Sequence, residues 1–189
     1  RSIAARQAPA SKLQTIDPTF AQLNVYNLPT LHRQGFQGQG IHIAVMDAGF
    51  QYLHSLGRLA SLREHILGCY DFSDEPDSMF AASGNHGIKC LGLIGMKSGG
   101  YTGAATEAQF YVMRTEENQS ESPKELDNLI AAWELADSLG VNICSVSLGY
   151  NNFDNPNFNI PYELLDGKSL QVSRAATIAA RKGMLLCVS

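Results

Sequence analysis

Four short apolar runs punctuate the chain, and helical stretches separate them. The runs are IHIAVM (41–46), AQFYVMR (108–114), VNICSVSLG (141–149) and MLLCVS (184–189). Each is short and apolar, and the first three are rich in β-branched or aromatic residues, which reads as a strand. The clearest helix, SPKELDNLIAAWELADSLG (122–140), lies between the second and third runs. Ser122 is placed to cap it, Pro123 suits its first position, and Glu125 completes a capping box. Leu126, Leu129, Ile130, Trp133 and Leu139 fall on one face, which marks them as core, and Gly140 ends the helix. Further helices are expected across 16–34, where Pro29 suits a first turn and Gly35 follows the end, across 86–96, and at about 170–182, before Gly183. Residues 50–85 read as irregular. Parallel strands need a crossover of a dozen or more residues, which is what each helix supplies. The alternation therefore predicts an α/β fold: a doubly wound, mostly parallel sheet with helices on both faces.

A length of 189 residues suits one domain with a sizeable core. Residues 1–15 lack periodicity and read as an amino-terminal arm, with residues 16–189 as the domain. The chain opens at Arg1 rather than Met, which suggests processing or trimming. No signal peptide and no apolar run of membrane-spanning length is visible. The net charge of −4 gives no basic footprint for nucleic acid. Cys69, Cys90, Cys144 and Cys187 form no C-x-x-C pair and no zinc-like cluster. Cys90, Cys144 and Cys187 lie in apolar segments and are expected to be buried thiols, with a disulfide left open.

In a doubly wound sheet, functional residues collect at the carboxyl ends of the strands. Asp47 and Gly149 both fall there. An aspartate in that place serves as a turn former, a phosphoacceptor, a metal ligand or a catalytic carboxylate. His86 stands at the start of the glycine-studded run GNHGIKCLGLIG (84–95). A carboxylate held at a strand end can accept a hydrogen bond from one imidazole nitrogen and fix the tautomer, leaving the other nitrogen as a general base. The stretch SVSLG (145–149) offers a backbone edge for a peptide, with Gly149 permitting close approach. A dinucleotide site would place its glycines after the first strand, whereas Gly35, Gly38 and Gly40 precede it. A phosphoacceptor domain would need an acidic pair on an earlier strand, and none is present. His32, His42, His54 and His65 have no carboxylate or cysteine at ligand spacing and read as surface or packing residues. The acidic stretch DFSDEPD (71–77) reads as a solvated loop, with calcium as its second reading.

The segments GQGIHIAVMDAGF, HGIKCLG and ADSLGVNICSVSLGY resemble, in order, the aspartate, histidine and substrate-strand motifs of the subtilisin-like serine peptidases. GAATEAQFYVMRTE resembles the segment between the last two. The resemblance runs from about residue 35 to residue 189. The wording DAGF, RTE, ADSLGV and DGKS looks most like secreted subtilases of Bacteroidetes-type bacteria. It implies that Asp47 and His86 are two members of an Asp-His-Ser triad and that Ser147, Leu148 and Gly149 pair with a peptide or protein substrate. It implies no cofactor, with calcium possible since such peptidases often bind it, and a secreted or periplasmic setting.

The chain departs from the family pattern in places. Ala48 stands where a serine or threonine often follows the aspartate, which removes one hydroxyl but leaves backbone N–H groups to brace the carboxylate. Ile88 and Leu91 replace smaller residues and are expected to crowd the helix beside the base. The chain stops before the Ala-Gly-Asn that supplies the oxyanion donor and before the Gly-Thr-Ser-type nucleophile motif. Ser83, Ser98, Ser145 and Ser189 lack that context. The domain is therefore expected to be partial and the isolated chain inactive, pairing with its own carboxyl-terminal half or with a second copy. The rival expectation is a catalytically dead fragment that serves as a binding or structural piece.

Overall fold

A computed structural model of the chain describes residues 19–81 and 84–189. The amino-terminal arm and Ser83 lie outside the described residues. Two short helices, α1 (Phe20–Val25) and α2 (Leu28–Arg33), lead into strand β1 (His42–Asp47). Helix α3 (Ala60–Arg63), strand β2 (Ile66–Asp71) and helix α4 (His86–Gly95) follow. A small hairpin, β3 (Lys97–Ser98) and β4 (Tyr101–Thr102), precedes β5 (Gln109–Arg114). Helix α5 (Lys124–Ser138), β6 (Ile143–Val146), α6 (Gln171–Arg181) and β7 (Leu185–Val188) follow. The main sheet has the order β2-β5-β1-β6-β7, and every pairing in it is parallel. Among the described residues no helix is long and apolar enough to cross a membrane.

Side chains on a strand alternate between faces, and the two halves of the core follow that rule. Ile43 and Val45 of β1 pack with Phe110 and Val112 of β5, under Leu62 of α3 and Leu91 of α4. Ala44 and Met46 pack on the opposite face with Tyr111, Met113, Cys144 and Val146, under Leu129 and Trp133 of α5 and Ala179 of α6. The doubly wound arrangement is thus written residue by residue along β1. Continuing the alternation, odd positions on β1 and even positions on β5, turns Asp47 and Arg114, which lie opposite each other in register, toward the α4 face.

Several local expectations need correction. Residues 50–85 are not irregular throughout, because β2 lies within them. β2 is an outer strand with a register shift between Ile66 and Gly68 and with Leu67 exposed, so it lacks the continuous apolar run of a central strand. The stretch 16–34 is not one helix: Asn27, at φ 55°, breaks it, and Pro29 sits in the first turn of α2. Only half of the capping box on α5 forms. The Glu125 carboxylate accepts the Ser122 N–H at 3.2 Å and the Glu117 N–H at 2.9 Å, and no side-chain cap bond closes the start of the helix. Of the three cysteines expected to be buried, Cys144 is buried, Cys90 is half-buried and Cys187 is exposed on the outer strand β7; all four thiols are free.

The acidic stretch 71–77 is organised by a buried cation. Arg114 is fully buried and forms ion pairs with Glu75, with Asp77 at 3.3 Å and with Asp71 at 3.6 Å. Asp74 pairs with Lys124 at 2.5 Å, and Lys124 also holds Glu117 at 2.9 Å. All four carboxylates of the stretch therefore face a cation of the protein itself, and a calcium ion would have to displace a buried guanidinium. The stretch does not fit a calcium site. Breaking a buried ion pair by removing one partner leaves uncompensated charge. Arg114→Met is expected to cost about 3–5 kcal/mol of stability by urea unfolding. A loss below about 1 kcal/mol would mean that the carboxylates find other cations or water.

Candidate active site

The site begins where β1 ends. Asp47 is the last residue of the strand and is fully buried. His86 is the first residue of α4. Its Nδ1 lies 2.8 Å from Asp47 Oδ2 and 2.9 Å from Oδ1. An ionised carboxylate can only accept, so Nδ1 carries the proton and Nε2 is left as the basic nitrogen. The Ala48 N–H donates to Oδ1 at 2.8 Å and supplies the brace that a hydroxyl at that position would otherwise share. The His86 side chain is 55% exposed, so the ring remains open to solvent. Burial raises the Asp47 carboxyl above its ordinary value, while the hydrogen bonds from His86 and Ala48 and the charge of His86 pull it back.

Glycines bring the two elements this close. A Cβ on Gly87 would lie 2.5 Å from Gly49 O and 2.8 Å from Asp47 Cβ, so no larger residue fits while the helix start abuts the strand end. At the other end of α4, a Cβ on Gly95 would meet the Phe110 ring at 2.5 Å. The helix therefore lies flat on the sheet along its length. Two backbone bonds fasten the loop after Asp47 to the segment before His86: Phe50 N–H to Met79 O at 2.7 Å and Gln51 N–H to Gly84 O at 3.1 Å.

Leu91 does not crowd the base. It is fully buried in the core with Ile43, Val45 and Phe110, and Ile88 packs against the same cluster. The residue of α4 that touches the ring is Cys90, with Sγ 3.8 Å from Nδ1 and 3.9 Å from Nε2. The sequence signal for it was its spacing of four residues from His86, which puts both on one helical face. The donor atoms of Asp47, His86 and Cys90 lie within 4.8 Å of one another. A point nearly equidistant from both ring nitrogens lies along neither lone pair, and Nδ1 already bonds the carboxylate. The trio is therefore a hydrogen-bonded pair with a neighbouring thiol, not a chelating set. Burial raises the Cys90 thiol, which disfavours the reactive thiolate.

Ser147, Leu148 and Gly149 follow β6, which neighbours β1 with Met46 opposite Val146. They therefore leave the sheet at the same end as Asp47. Ser147 interacts with the Cys90 thiol, Leu148 packs against the core, and Gly149 is exposed. Among the described residues none of the three makes a backbone–backbone hydrogen bond. Ser98 lies in β3, Ser145 in β6, and Ser189 just past β7 with its N–H on Val146 O at 3.1 Å. Among the described residues no serine hydroxyl bonds His86. Two of the other histidines have polar partners, His32 on Ala104 O at 2.9 Å and His42 on Gln109 at 3.1 Å, and His54 packs edge-on to Phe80.

Sequence reasoning missed an acidic cluster beside this site. Glu116 and Glu125 are both buried, and burial pushes each carboxyl up to about 7. Hydrogen bonds from Tyr150 and Thr115 pull Glu116 down again, while the charges of Glu121 and Asp47 push it up. The Glu117 N–H pulls Glu125 down and the charge of Glu116 raises it. Glu116 lies outside the periodic apolar pattern, and Glu125 was read only as a helix cap, so their burial together shows only in their contacts.

The sequence matches the Subtilase family over residues 38–189. The chain belongs to the subtilase family. No curated protein matches it. Its fold is similar to the crystal structure of MycP1 with the N-terminal propeptide removed, at 20% identity and a TM-score of 0.60, covering 87% of this chain and 47% of that one. It is also similar to the MycP3 protease from the type VII (ESX-3) secretion system, at 21% identity and a TM-score of 0.62, covering 95% of this chain and 47% of that one. This subtilase chain thus spans about half the length of those structures and constitutes part of a peptidase domain.

Two outcomes follow from the site's packing and charge. Gly87→Ala should destabilise the fold by about 1–3 kcal/mol through overpacking and should remove the low-field Nδ1–H proton signal of His86 in NMR. Gly92→Ala, whose Cβ would meet nothing within 4 Å, should leave that signal in place. In the second outcome, Glu116 and Glu125 hold protons more tightly folded than unfolded between pH 4.5 and about 7. Stability contributed by the neutral carboxyls is present below pH 4.5 and is lost as pH rises toward 7. Glu116→Gln should flatten that fall in a urea-midpoint titration.

Proposed function

We propose that this chain carries the aspartate, the histidine and the substrate edge of a subtilisin-type serine endopeptidase. Asp47 orients His86, whose Nε2 takes the proton from a serine nucleophile as it attacks the scissile carbonyl. His86 then returns that proton to the leaving amine. Ser147, Leu148 and Gly149 pair with the peptide backbone of a peptide or protein substrate, as an added strand. The observation that carries this reading is the 2.8 Å Nδ1–carboxylate bond at the mouth of the sheet, with an edge beside it that makes no backbone–backbone hydrogen bond among the described residues.

The nucleophile and the oxyanion donor come from outside these 189 residues, so the chain alone is inactive. Support comes from the solved structures that it half covers and from β7, an outer strand whose Leu185 and Val188 are each 58% exposed. The rest of a catalytic domain would cover that edge. A secreted or periplasmic setting follows from the family resemblance. The second reading, a catalytically dead piece that binds or supports, is favoured by the absence of any serine hydroxyl on His86 among the described residues.

A serine-directed fluorophosphonate separates the two readings, because it labels only a serine activated by a base and an oxyanion hole. The isolated chain should not label. A protein extended through the family's nucleophile motif should label, and His86→Ala should slow labelling by at least about 10³-fold. Strong labelling of the short chain would place the nucleophile within it and overturn the assignment. A folded but unlabelled extended protein would give the second reading the lead.

A further inference from the structure

Tyr150 directly follows Gly149, and its hydroxyl donates to Glu116 Oε1 at 2.5 Å. The Thr115 hydroxyl donates to the same oxygen at 3.3 Å. Glu116 is buried two residues beyond the end of β5, in a segment held from several sides. The Thr115 N–H donates to Asp47 O at 3.1 Å, Asn128 Nδ2 donates to Thr115 O at 3.0 Å, and Arg114 Nε donates to Glu116 O at 3.4 Å. The segment that carries Glu116 therefore braces the backbone of Asp47. The Tyr150 ring packs against the core below β5 and β6. The three residues before it make no backbone–backbone hydrogen bond among the described residues, so side chains tie this edge to the rest of the fold: Ser147 to the Cys90 thiol, and the Tyr150 hydroxyl to Glu116.

We propose that Tyr150 and Glu116 are positioning residues: a side-chain latch that holds the edge Ser147–Leu148–Gly149 in register with the Asp47–His86 pair. The purpose of that edge rests on the peptidase reading above; the latch rests on the contacts just described. An edge that must be ordered afresh for each peptide binds it more weakly, because the ordering entropy opposes binding. A latched edge meets the peptide already in place. The latch also responds to pH. Glu116 is faced by Asp47 from β1, Glu121 from the following loop, Glu125 from α5 and Tyr150 from beyond β6. Arg114 presents its Nε to the Glu116 carbonyl, while its terminal nitrogens are taken by Asp71, Glu75 and Asp77. As Glu116 ionises through about pH 7, the phenol bond becomes charge-assisted and tightens.

Backbone ¹⁵N relaxation on this chain tests the latch, since it reports order in amides that have no hydrogen bond. In Tyr150→Phe, order parameters at residues 147–150 should fall from about 0.85 to below about 0.6, with β1 and β5 unchanged. The difference between wild type and Tyr150→Phe should be larger at pH 8 than at pH 6. In a Glu116→Gln background, which keeps an acceptor but cannot ionise, it should be independent of pH. Equal order in wild type and Tyr150→Phe at both pH values, or a fall spread through the whole sheet, would overturn the proposal. In the extended protein, Tyr150→Phe should raise KM for a peptide amide about 5–10-fold with kcat within about 2-fold; loss of kcat at constant KM would also overturn it. Absence of hydrolysis by the extended wild-type protein would sink the peptidase reading alone, and the relaxation data would still decide the latch.

Discussion

A close approach of one element to another governs the site. The first turn of α4 presses against the end of β1 with no side chain between them, because Gly87 offers none. Everything chemical about the site depends on that contact. With a methyl group at Gly87 the helix would retreat, and an imidazole that retreats by an ångström loses its carboxylate. The rest of α4 serves the same end: Leu91 and Gly95 seat it on the sheet, and the bonds from Phe50 and Gln51 hold the loop that would otherwise swing away. A histidine at the mouth of a buried helix is thus explained by the burial itself, since a rigid base needs a rigid platform.

Charge is arranged in two compartments around β5. On one side Arg114 gathers Asp71, Glu75 and Asp77, and the buried guanidinium is compensated several times over. On the other side Glu116 and Glu125 lie buried with no ion pair among the described residues and retain protons near neutrality. Two residues of one segment, Arg114 and Glu116, separated by Thr115, thereby take opposite electrostatic roles. The first anchors a loop by permanent charge, and the second meets a phenol and changes its charge in the physiological range.

The strands of the centre were legible in the sequence because β1 and β5 are buried on both faces and carry unbroken apolar runs, while β6 alternates buried Cys144 and Val146 with half-buried neighbours. The outer strand β2 was not, since exposure of Leu67 and a bulge at Gly68 break the run that marks a buried strand. Asp47, His86 and the stretch 147–149 could be singled out because strand ends and helix starts leave marks in sequence. Cys90 could be placed on the His86 face by spacing, but its contact with the ring depends on how α4 is rotated against the sheet. Leu91, which sequence alone set beside the base, shows the same limit: neighbouring helix positions point about 100° apart, and only packing decides which one faces the core. The pairing of Glu116 with Tyr150, 34 residues apart, leaves no local signature at all.

The order β2-β5-β1-β6-β7 puts Asp47 on the middle strand, flanked on each side by two others. Sheets open from their rims inward, so the strands that fray first are β2 and β7, and the strand that exchanges last is the one bearing the aspartate. Thermal fluctuation is thus directed away from the acid–base pair. A partly opened molecule that has lost its outer strand would still present an oriented imidazole to whatever docks against the exposed rim. Assembly of a complete domain can proceed by adding strands outward onto a centre where the Asp47–His86 pair is already set.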